Sequence, residues 1–127
     1  FSGGINVSTT STSFVSAFST TFTTYSDQQR IESQINNVTL PTYIKLRTTI
    51  AGAYSAEFKM LVNGVVKAWK IVGGYLESNQ DYYYDVNLFE LGMTLSPGSH
   101  FWQLQYKSSS SSLTVSISNL VLSIVDV

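Results

Sequence analysis

From Thr39 onward, apolar and polar residues alternate with a period of two, the signature of strands with one face buried. Ile44, Leu46, Thr48 and Ile50 alternate with Lys45, Arg47 and Thr49, which places the basic pair on an outer face. After a turn at Gly52, Tyr54, Ala56, Phe58, Met60 and Val62 form an inward face opposite Glu57 and Lys59. Asn63-Gly64 follows directly. Asn-Gly between two such runs is the strongest short-range hairpin signal, because both central residues of a type I′ turn need positive φ. On the return strand Val65, Lys67, Trp69 and Ile71 take one side and Val66, Ala68 and Lys70 the other, until Gly73-Gly74.

The alternation then repeats at roughly ten-residue spacing. Tyr82 to Leu91 reads as a strand, and Pro97-Gly98 fits the central pair of a type II turn. His100, Trp102, Leu104 and Tyr106 alternate with Phe101, Gln103, Gln105 and Lys107. A serine run, Leu113 to Ile117 and the apolar stretch from Leu120 complete the chain. Many short strands with turns between them predict an antiparallel β-sandwich, all-β in class. No repeat period is visible, which argues against a propeller or a β-helix.

Two segments nearer the start are less regular. Phe14, Phe18 and Phe22 fit either period, but the Ser and Thr between them fill strands better than helices, so all three are expected on one strand face. Residues 27–35 admit one short helix, capped at Ser26 or Asp27 with Ile31 and Ile35 on one face, or equally a polar loop. Residues 1–13 are expected to form an extended N-terminal arm or a short edge strand, and residues 14–127 a single domain.

Composition narrows the function classes. At 127 residues there is room for one domain with a real core. Charged residues make up 12%, about half the usual share, and 20 Ser and 13 Thr supply the missing polarity. Seven basic residues are offset by eight acidic ones, so no electrostatic footprint for nucleic acid exists. Cysteine is absent, which removes disulfides, thiolate chemistry and Cys-based zinc sites. No apolar run reaches the length of a membrane-spanning helix, so no membrane insertion is expected. Phe1 in place of Met admits either a removed leader or upstream residues outside this sequence.

Chemistry-bearing residues are sparse. His100 is the only histidine and has no Ser or Asp at a triad-like spacing, so a packed or hydrogen-bonded strand residue is the simpler reading. Asp81, Asp85 and Glu90 lie close in sequence, but residues four apart on a strand do not face each other across a cleft as glycosidase carboxylates must. Asp81 with Glu77 would make at most a weak calcium site. No catalytic residue, metal or cofactor is therefore expected. The aromatics carry more information. Trp69, Tyr82, Tyr83, Tyr84, Phe101 and Trp102 are the candidate contact residues, for a subunit interface or for a glycan, because rings bury large area at small entropic cost.

Three stretches together resemble the jelly-roll domains of the C1q/TNF-like kind, including those of viral and phage fibre heads. They are Phe58 to Val66 with its Asn-Gly turn, the Leu95-Ser96-Pro97-Gly98-Ser99-His100 lead-in to a long strand, and the final apolar strand Leu120 to Val125. The resemblance covers roughly residues 40–127. It implies jelly-roll topology, a homotrimer, and a non-enzymatic role in decoration, adhesion or receptor binding. The absence of cysteine and the Ser and Thr load turn that expectation toward a virion surface or an extracellular microbial protein, with other virion proteins or a host-surface glycan or receptor as partners. The alternative is a carbohydrate-binding module of a microbial surface or secreted protein.

Overall fold

The computed structural model describes residues 6–25, 27–34, 43–84, 87–118 and 120–126. Among the described residues eleven strands follow one another: β1 (Asn6–Thr9), β2 (Val15–Thr24), β3 (Gln28–Gln34), β4 (Tyr43–Thr48), β5 (Gly52–Val62), β6 (Val65–Leu76), β7 (Asp81–Tyr84), β8 (Asn87–Thr94), β9 (Gly98–Ser108), β10 (Leu113–Ser118) and β11 (Val121–Asp126). One sheet has the order β2-β9-β5-β6. The opposite layer consists of β1-β10-β4-β7 and β11-β3-β8, whose strands continue one another along the chain as β10/β11, β3/β4 and β7/β8.

Counting each of those pairs as a single interrupted strand leaves eight strands, in the orders 1-8-3-6 and 2-7-4-5. That is the double Greek key of a jelly roll. The ladders between the described strands are antiparallel, with one isolated parallel bridge between Thr48 and Ser78, and the two layers pack as a sandwich.

The core lies between the layers. Ile44, Leu46, Ala56, Phe58, Met60, Val62, Trp102, Leu104, Leu113 and Val115 are fully buried or nearly so. These are the alternate positions of β4, β5, β9 and β10, as period-two patterning requires. Phe58 stacks on Tyr106 at 6.4 Å between ring centroids, and Phe18 meets Trp102 at 6.2 Å. Each fully buried large side chain contributes about 1.5–3 kcal/mol.

Three expectations are corrected. Residues 28–34 form β3 and not a helix: β3 is paired on one side with β11 and on the other with β8. The four-residue spacing of Ile31 and Ile35 is even, so it suits a strand as well as a helix, and two ladders of backbone bonds decide between them. Second, Phe14 does not share a face with Phe18 and Phe22. A bulge between Ser16 and Phe18 leaves Ala17 unpaired, which reverses the parity of everything before it. Third, a register shift between Met60 and Leu61 brings Val66 opposite Leu61, on the same outward face as Trp69. Within the expected arm, Asn6–Thr9 are β1, paired with Ser118 to Val115 of β10.

Candidate functional site

The outward face of the β2-β9-β5-β6 sheet carries the exposed aromatic chemistry. The ladder places Lys59 opposite Trp69 and Gln105, and Glu57 opposite Ile71 and Lys107. The Trp69 indole Nε1 donates to a Glu57 carboxylate oxygen at 2.9 Å, and Lys107 Nζ lies 3.5 Å from the other. Phe14, turned outward by the bulge, meets Trp69 edge-on at 6.2 Å. Lys59 Nζ sits under both rings, 4.0 Å from the Phe14 centroid and 4.3 Å from that of Trp69. Such cation–π contacts are worth about 0.5–1 kcal/mol each at exposed sites. The indole is therefore held by its edge and one face while 54% of the residue stays exposed.

Apolar exposure continues along β6. Val65, Val66, Ile71 and Tyr75 are all 43–65% exposed, and β6 is an edge strand. The other edge of the same sheet is different: β2 presents Ser16, Ser19, Thr21 and Thr23 as its exposed positions.

The remaining sequence candidates fall in three places. Phe101 faces outward on β9 and is 38% exposed. Tyr83 is exposed on the opposite layer, whereas Tyr82 and Tyr84 point inward and pack against the core. Tyr82 keeps its hydroxyl at the rim, where it accepts the Glu77 N–H at 2.9 Å. Burial, with some repulsion from Tyr82, pushes the Tyr84 phenol above its ordinary value. Trp102 is a correction. It is fully buried, in step with Leu104 and Tyr106 on the inward face of β9, and cannot touch a partner. Phe14, Glu57, Lys59 and Tyr75 join the surface instead, and for Phe14 the sequence carries no signal, because a bulge leaves none in the alternation.

Polar candidates are structural. His100 Nε2 faces the Ser96 carbonyl at 2.7 Å, which can only accept, so Nε2 carries the proton and Nδ1 accepts from the Asn63 amide at 2.9 Å. Arg47 donates to Asp81 at 2.9 Å and holds that carboxyl below its ordinary value. Asp85 lies outside the described residues, and of the Glu90 side chain nothing is described. Among the described residues no group of three or more His, Asp or Glu is placed to hold a metal ion.

No protein-family model matches the sequence, and no curated protein matches it. Solved structures do. The insecticidal delta-endotoxin Cry8Ea1 from Bacillus thuringiensis is similar over 95% of this chain and 20% of its own, with a TM-score of 0.51 and 11% identity. The infectious bursal virus protein of T=1 particles is similar over 99% of this chain and 30% of its own, with a TM-score of 0.50 and 12% identity. The fold is shared. A carbohydrate-binding module, CBM36, solved with calcium and xylotriose, aligns over 97% of this chain and 88% of its own at 12% identity and a TM-score of 0.42. The chain spans less than a third of the first two proteins.

Proposed function

We propose that this chain is a non-enzymatic structural or adhesion module that buries the outward face of β6 against other chains, as a capsid-decoration, cement or fibre-head domain of a virion would. One observation carries the reading: Val66, Trp69, Ile71 and Tyr75 stand exposed together on the outward face of one edge strand. Water-exposed apolar groups gathered on one strand are a surface for association. The resemblance to C1q/TNF-like fibre-head domains supports it, as does the jelly-roll likeness to an infectious bursal virus protein solved as T=1 particles. The mechanism is geometric. Rings and aliphatic side chains exclude water at the contact, while the neutral hydroxyl surface leaves the rest of the domain soluble in a crowded assembly. Light scattering at micromolar concentration tests it: a mass above one chain is expected, and a single-chain mass contradicts it.

A second reading follows from the Trp69 indole. Glu57 and Phe14 fix its orientation while it remains exposed, which suits stacking against the apolar face of a sugar ring. This reading expects a monomer whose Trp69 fluorescence changes with added polysaccharide. A flat response across a glycan array removes it.

A further inference from the structure

The open edge of β6 has a chemistry of its own. Asn63 N–H donates to the Phe101 carbonyl of β9, and the Ser55 carbonyl accepts from Ser109 just beyond it. Odd-numbered residues of β5 therefore aim their backbone groups at β9, and even-numbered ones at β6. Their partners Ala68, Lys70 and Val72 bond back to β5. It follows that Trp69, Ile71, Gly73 and Tyr75 aim their N–H and C=O groups at the open side, where the sheet order places no strand among the described residues. From Ala68 to Leu76 the pairing with β5 runs without a further register shift.

We infer that the occupant of this edge is the β6 strand of a second copy of the chain, paired antiparallel about a two-fold axis at Val72. The inference rests on the assembly reading above and names its partner. The sequence around Val72 is complementary to its own reverse. In that register Trp69 faces Tyr75 and Ile71 faces Gly73 through hydrogen-bonded pairs, while Lys70 faces Gly74 and Val72 meets Val72. Trp69–Tyr75 is an aromatic cross-strand pair formed twice, and each glycine leaves room for the larger side chain opposite. A Cβ at Gly74 would meet nothing within 4 Å in one chain, so that space is open for Lys70 of the second copy. Charge selects the register: an axis at Lys70 would set two ammonium groups directly opposite each other. The other edge, β2, is bulged and lined with hydroxyls, which protects it from such pairing.

The chain has no cysteine, so one engineered thiol reports the register. Facing residues of a non-hydrogen-bonded pair lie about 4.5 Å apart at Cα, within disulfide reach. The full-length Val72→Cys chain is expected to cross-link almost completely to a two-chain species under oxidation, with Thr21→Cys on β2 as the control that stays single. Ile71→Pro removes an N–H that faces the open side, a place where proline is tolerated in a strand. It should lose the two-chain mass and keep the circular dichroism of the parent. A three-chain mass, equal cross-linking at Thr21→Cys, or a folded Ile71→Pro chain that still pairs overturns the edge pairing and leaves the assembly reading standing. A single-chain mass for the parent overturns both.

Discussion

The side-chain amide of Asn63 donates to Nδ1 of His100 at 2.9 Å, which ties the β5–β6 turn to the start of β9. Asn63 sits at φ 51° and Gly64 at φ 80°, the left-handed pair a type I′ turn needs. The same asparagine accepts the Phe101 N–H at 2.9 Å and donates its own N–H to the Phe101 carbonyl at 2.7 Å. Two motifs far apart in sequence are thus one structural unit. Asn63→Gly keeps the turn and removes only the side-chain bonds, so a loss of about 1–2 kcal/mol is expected in urea unfolding. His100→Ala should show a coupling of about 0.5–1.5 kcal/mol with it in a double-mutant cycle. Additive losses would mean the link contributes nothing.

Phe14 and Trp69 depend on the Ala17 bulge. Were Ala17 paired in a regular ladder, Phe14 would fall in step with Phe18 and Phe22 and away from the indole. Of the two tryptophans, Trp102 is fully buried and Trp69 is 54% exposed, so acrylamide quenching reports on Trp69. Phe14→Ala should raise quenching and shift emission to longer wavelength. Unchanged quenching would place Phe14 elsewhere.

Much of this was legible because the sandwich is a period-two object. The alternation from Ile44 to Lys107 separates Phe58, Met60, Leu104 and Tyr106 from Glu57, Lys59 and Gln105, and the buried set matches. Trp102 belonged to that inward series by parity alone, and its burial follows. What stayed hidden was whatever breaks or mimics the period: the bulge before Phe18, the shift beside Lys67, and β3, where an even spacing satisfies two geometries at once. The open edge of β6 was hidden for another reason. Which strand ends a sheet is a property of topology, and no local pattern records it.

Gly73 and Gly74 look equivalent in sequence but differ in space. A Cβ at Gly73 would lie 2.1 Å from the Tyr54 carbonyl oxygen, a backbone atom that cannot yield without breaking the ladder. Both glycines hold φ near 155°, so any substitution is strained there. Gly73→Ala should cost at least about 3 kcal/mol or prevent folding, and Gly74→Ala distinctly less. Equal effects in thermal unfolding would contradict this geometry.

Burial pushes the Tyr106 phenol up to about 12. Its folded value lies above the unfolded one, so its contribution is fully present below about pH 10 and is lost as pH rises toward 12. The urea midpoint should fall across that window by the equivalent of about 2 kcal/mol, and Tyr106→Phe should flatten much of the slope. A slope unchanged in the variant would assign alkaline loss to other groups.

The central claim concerns what covers the outward edge of β6, and sedimentation equilibrium of the full chain at tens of micromolar measures it directly. Twice the 14.0 kDa of one chain is the predicted mass, falling to one chain in Ile71→Pro. A parent that stays at 14.0 kDa throughout would contradict the account.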